Sequence, residues 1–153
     1  MLQYQSQTQI ELLVMIKTIF FAKIINSLQS SEMFSRPSKK LPGKWQLFEY
    51  YIDEAKELKH VNSEQLTSEK QNWSIEFTED KQYSHNSKLP VPLISNIDNG
   101  SWSISKNFIT LINPLNFRKN VEFQFAIEKG NLKLLKKDDF GKIEFFGFFR
   151  KLD

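Results

Sequence analysis

The residues able to do chemistry are few and scattered. The chain holds 2 His and no Cys, so thiol nucleophiles, Cys-ligated zinc, iron–sulfur clusters and disulfides are all excluded. His60 lies in a charged stretch and reads as a solvated loop residue. His85 follows Tyr83 by two positions, so in a strand the two side chains share one face. No H-x-x-x-H or H-E-x-x-H spacing places two imidazoles together on a helix, and no metal site is expected. No nucleophile stands beside His85, and G-x-S-x-G, G-x-G-x-x-G and a phosphate-cradling Gly-rich loop are all missing. The acidic pairs Glu79-Asp80 and Asp138-Asp139 read as solvated turn residues. No catalytic residue and no cofactor are therefore expected. What remains is binding chemistry, with Tyr83 and His85 as polar handles among aromatic residues.

Charge narrows the partner. The formal net charge is +3, yet residues 1–42 carry five basic and two acidic side chains while residues 43–153 carry 16 of each. The body of the protein lacks the basic bias of a phosphate-binding surface, so nucleic acid is not an expected partner.

The elements that must position these residues differ on either side of Leu41-Pro42-Gly43. After it, apolar residues recur with period two: Trp73, Ile75 and Phe77; Trp102 and Ile104; Val121, Phe123, Phe125 and Ile127. Such alternation marks strands with one buried and one wet face. Eight strands are expected, over Lys44–Asp53, Asn72–Thr78, Gln82–Ser87, Ser101–Ser105, Phe108–Asn113, Val121–Glu128, Leu132–Lys137 and Ile143–Lys151. Short polar turns join most of them, and two longer connections cover 54–71 and 88–99. Only Asp53 to Lys59 offers a helical pattern in this half. A meander of this kind sheds its exposed edges by closing into a barrel.

Before the breakpoint, Ile10 to Ile25 is rich in Ile, Leu, Val and Phe but interrupted by Glu11, Lys17 and Lys23. It falls short of the roughly 20 uncharged residues needed to cross a bilayer. Three readings stay open: a helix flanking the barrel, a degenerate export signal over residues 15–30, or a peripheral membrane anchor. The second would place the protein in the periplasm or envelope; otherwise it is cytoplasmic. Ser27 to Lys40 reads as a linker. The division expected is a leader and linker over 1–40 and a barrel domain over 41–153.

Gly43-Lys44-Trp45 opens the first strand and Arg150 stands in the last, Phe145-Phe146-Gly147-Phe148-Phe149-Arg150-Lys151. This pairing resembles the calycin or lipocalin superfamily, and more narrowly the short bacterial lipocalin-like domains. The resemblance covers residues 41–152 and implies an eight-stranded antiparallel up-and-down β-barrel. It also implies that Arg150 lies over Trp45 as an end plug, a guanidinium on an indole face. The Gly would permit the bend where the chain enters the barrel.

The function expected is non-enzymatic: binding of a small hydrophobic or amphipathic ligand inside the barrel, against Trp73, Phe77, Tyr83, His85, Trp102, Phe123 and Phe125. The alternative is an interaction or envelope-structural protein with a filled barrel. Phe48, Tyr50, Ile52, Phe146 and Phe148 share the opposite parity and would form an outer aromatic patch. Either the Ile10–Ile25 helix or a protein partner would cover it.

Overall fold

In a computed structural model, residues 37–153 are described continuously, and within the leader only the helical positions Gln9, Glu11, Leu12, Met15 and Ile19, all exposed. The chain divides into two compact units, 1–33 and 34–153. The export-signal reading, the linker before Pro37, and any covering of the barrel by Ile10–Ile25 lie outside the described residues. Among those described, no helix is long and apolar enough to cross a membrane.

Among the described residues nine strands form one sheet: β1 (Gly43–Glu54), β2 (Glu57–Val61), β3 (Trp73–Phe77), β4 (Gln82–Ser87), β5 (Gly100–Ser105), β6 (Phe108–Ile112), β7 (Val121–Glu128), β8 (Asn131–Lys137) and β9 (Ile143–Leu152). β1 pairs with β3 through its first half and with β9 along most of its length, so β1 and β3 to β9 close an antiparallel up-and-down barrel. The eight expected strands are these eight. Closure gives every strand of the ring a neighbour on both sides, although β4 and β5 meet only at Gln82–Tyr83 and Gly100–Ser101.

The ninth strand, β2, occupies a segment expected to be loop or helix. It folds back on Tyr50–Glu54 of β1 through Ala55 and Lys56, both left-handed at φ 53° and 65°. That geometry is the mirror-image turn that suits strand twist, formed here without its usual Asn-Gly signature. The helix comes later, at Ser63–Ser68, where the Asn62 side chain accepts from the Gln65 amide and the Gln65 side chain accepts from the Asn62 amide. This reciprocal cap accounts for a helix of such low apolar content.

A bulge decides which side chains of β1 face inward. The register runs Leu47↔Phe149 and then Glu49↔Phe148, leaving Phe48 without a partner of its own. One extra residue reverses the parity of everything beyond it. Trp45 and Leu47 point in before the bulge; Tyr50 and Ile52 pack with the core after it. The outer patch therefore contains Tyr51 in place of the expected Tyr50 and Ile52. Tyr51 lies flat on His60 at 4.3 Å and close to Phe146 and Phe148. His60 is thus a strand residue bonded to Glu49 at 2.8 Å, not a loop residue.

The interior is filled with rings. Trp73 is surrounded by Phe149, Phe145 and Phe123 at centroid distances of 5.1, 5.5 and 6.3 Å. Phe77 and Trp102 meet edge to face at 6.0 Å nearer one end. Tilted and edge-on contacts of this kind suit the ring quadrupole and let many large side chains share one small volume.

Candidate functional site

The two ends of the barrel are built differently. One is shut by Trp45, whose indole Nε1 donates to the Leu41 carbonyl at 2.8 Å. The cation over this ring is Lys151, with Nζ 5.3 Å from the centroid. Arg150, expected there, lies instead over Phe48 on the outer face at 5.1 Å. Strand parity is the reason: Lys151 is directly opposite Trp45, whereas Arg150 is opposite Gln46. Lys151 Nζ also donates to the Lys40 carbonyl at 3.3 Å. Gly43 holds φ +133°, and a Cβ there would approach Lys151 Cε to 2.6 Å. Only glycine enters that corner without strain.

The opposite end carries the long connections, 88–99, 113–120 and 138–142. The first crosses the barrel mouth, with Leu89, Val91, Ile94 and Ile97 joining the core. Its position is held by the two expected polar handles. Tyr83 donates its hydroxyl to the Asp98 carbonyl. His85 lies between Trp73 Nε1, 3.1 Å from its Nδ1, and the Ile97 carbonyl, 2.5 Å from its Nε2. The indole can only donate and the carbonyl can only accept. The imidazole is therefore the neutral Nε2–H tautomer, with both nitrogens engaged. Burial, with a contribution from the Asp98 carboxylate, pushes the Tyr83 hydroxyl up to about 12. The polar atoms of both side chains are thus engaged in holding the 88–99 connection.

The remaining expected ligand residues, Trp73, Phe77, Trp102, Phe123 and Phe125, are all buried in the packed interior. The structure brings them together, but against each other. Trp102 uses its Nε1 on the Thr78 carbonyl at 3.2 Å, under the Lys81 ammonium 4.0 Å from its ring.

Open space lies at the mouth. A cleft of about 670 Å³ is lined by Leu93, Ser95, Asn96, Asp98, Arg118, Lys119, Asn120, Val121 and Lys136. Val121 and Lys136 continue the inward parity of Phe123 and of Leu134, so they form the rim of the barrel itself. Its lining includes three cations and the Asp98 carboxylate. Lys119 Nζ is 3.9 Å from Asp98 Oδ2 and Lys136 Nζ is 3.9 Å from Glu144 Oε2. Both pairs are long, and Lys136 Nζ also donates to the Lys137 carbonyl at 3.0 Å.

Asn113 shapes this site. Its side-chain oxygen accepts from the amides of Leu115 and Asn116 at 2.9 and 3.0 Å, and its Nδ2 donates to Asp98 Oδ2 at 2.9 Å. Its own amide donates to Asn120 Oδ1 at 2.8 Å. The side chain thereby ties 113–120 to 88–99 and fixes both walls of the cleft. Asn113, Arg118, Lys119 and Lys136 were not expected from the residue pattern. The available signals were Asn at 113, 116 and 120, each a former of local side-chain turns, and a lysine on the inward parity at the end of β8. Among the described residues, no group of three or more His, Asp or Glu is placed to hold a metal ion.

A family model described as a lipocalin-like domain matches residues 41–134. The chain belongs to the lipocalin-like domain family. The match begins at the Leu41 that caps Trp45 and ends inside β8, and β9 completes the lipocalin-like barrel beyond it. No curated protein and no solved structure matched the chain. Lipocalin-like barrels are in general non-enzymatic folds associated with small hydrophobic ligands.

Proposed function

We propose that this lipocalin-like protein is a non-enzymatic binding protein for a small amphipathic anion, held at the barrel mouth. The observation that carries the reading is the 670 Å³ cleft, whose lining combines Arg118, Lys119 and Lys136 with the apolar Leu93 and Val121. Its volume lies within the range of small-molecule sites, and its mixture of apolar and cationic lining suits a carboxylate or phosphate on an apolar body. Trp73, Phe77, Trp102, Phe123 and Phe125 serve as the rigid floor, and Tyr83 and His85 hold the 88–99 wall in place.

Titration of the full chain with the fluorescent fatty acid cis-parinarate tests this. Saturable binding is expected, weakened by roughly tenfold or more in Arg118→Gln/Lys119→Gln, because a charge-assisted hydrogen bond contributes about 1.5–3 kcal/mol. Absence of saturable binding, or equal affinity in the variant, would overturn the reading.

One observation favours a second reading. The interior rings leave the barrel a solid scaffold, which suits a protein that works through its outer surface and loops.

A further inference from the structure

Three large apolar side chains stand almost wholly in water: Leu115 is 95%, Phe140 93% and Phe117 76% exposed, the highest values among the described large hydrophobics. They belong to the connections β6–β7 and β8–β9, which emerge at the same end of the barrel. The two connections are close there, since Lys136, beside the second, lines one cleft with Arg118 and Lys119 of the first.

The turns themselves hold the tips outward. Asn113 Oδ1 binds the Leu115 amide, and Asp138 Oδ1 binds the amides of Phe140 and Lys142 at 2.9 and 2.8 Å. Asp138 also closes its loop through the backbone, its amide donating to the Lys142 carbonyl at 2.8 Å. Basic residues flank each tip: Arg118 and Lys119 follow Phe117, and Lys142 follows Phe140 by two. Asp139 is the acid beside Phe140, while the Asp138 carboxylate is occupied within its turn.

We propose that this end of the barrel docks on an anionic lipid surface, with Leu115, Phe117 and Phe140 entering the headgroup region and Arg118, Lys119 and Lys142 lying against lipid phosphates. Separate apolar tips on convex turns suit a deformable interface; a protein partner would instead need a pocket already shaped for each. Apolar insertion and attraction of bases to anionic headgroups act together in such attachment. The inference goes beyond ligand binding in the cleft and does not require it, although Arg118 and Lys119 would serve both.

The test uses the full chain carrying Phe117→Trp, with vesicles of phosphatidylcholine alone or mixed with phosphatidylglycerol. On mixed vesicles the added indole is expected to shift its emission to shorter wavelength and to be quenched by brominated lipid. High salt should reverse both effects, since screening weakens the basic contribution. Leu115→Ser/Phe117→Ser/Phe140→Ser should lower vesicle co-sedimentation by roughly tenfold or more, with an unchanged circular dichroism spectrum and unchanged cis-parinarate binding. An unshifted Phe117→Trp emission would overturn the proposal. So would a triple variant that sediments like the parent, as attachment through the leader would produce. Crosslinking of these turns to a protein in the absence of vesicle binding would overturn it as well. Loss of cis-parinarate binding with vesicle binding intact would sink only the cleft reading.

Discussion

The two ends of this barrel are held by different physics. At the closed end, Leu41, Trp45, Phe77 and Trp102 are all buried, and the turns 78–81, 106–107 and 129–130 are short. Stability there comes from the area of large rings removed from water, assisted by Lys81 and Lys151 over indole faces. At the open end the connections are long and their shape comes from hydrogen bonds centred on Asn113, Tyr83, His85 and Asp138. Ring packing is insensitive to the chemistry of a ligand. Polar turns can be aimed at one. The division of labour follows: one end specifies the fold, and the other displays cations and apolar tips.

The sharpest way to break this contrast is Trp45→Ala. It should cost about 3–5 kcal/mol in denaturant unfolding, as expected for truncating a buried aromatic, while cis-parinarate affinity of the folded fraction stays unchanged. A change within about 0.5 kcal/mol, the range of an ordinary surface substitution, would show that Trp45 is not the plug.

An intermediate effect is expected at the open end. Tyr83→Phe removes a hydroxyl from the Asp98 carbonyl and should cost about 1 kcal/mol, with a loss of cleft binding that Trp45→Ala does not share. The tyrosine also sets a pH dependence. Its folded pKa, about 12, lies above the ordinary 10.0, so between those values the folded state holds a proton that the unfolded state has released. Stability is then complete below about pH 10 and falls as pH rises toward 12. Tyr50 and Tyr51 are raised to about 12 in the same direction, mainly by burial. In alkaline unfolding curves Tyr83→Phe should lessen this slope without abolishing it; an unchanged slope would count against the Tyr83 contribution.

The smallest effect separates neighbours. Lys151→Met should cost about 0.5–1 kcal/mol, the usual size of an exposed cation–π contact, and should move the Trp45 indole N–H resonance. Arg150→Ala should leave that resonance in place. If Arg150→Ala moves it instead, the register at the closed end differs from the one described.

Much of this architecture was legible in the residues. The alternation in Trp73-Ser74-Ile75-Glu76-Phe77 and in Val121 to Glu128 needs only a local period of two, and the Gly43-Lys44-Trp45 opening needs only three adjacent residues. The β1–β2 hairpin was hidden because Ala55-Lys56 adopts a turn normally marked by Asn or Gly. The site was harder still. Arg118 and Lys119 lie in the 113–120 connection and Lys136 at the end of β8, and nothing local says that they converge.

The sequence by itself determined the eight strands of the ring, their pairing in a meander and the presence of a buried Trp near the entry to the barrel, because each depends on neighbours within a few residues. Tertiary structure decided the rest. A single bulge at Phe48 sent Tyr50 inward and Tyr51 outward, and the pairing of β1 with β9 put Lys151 rather than Arg150 over Trp45. Strand pairing then brought the adjacent Arg118 and Lys119 to one mouth with the distant Lys136. Register and closure are properties of strand pairs far apart in the chain, and a one-residue slip in either exchanges the inner face for the outer.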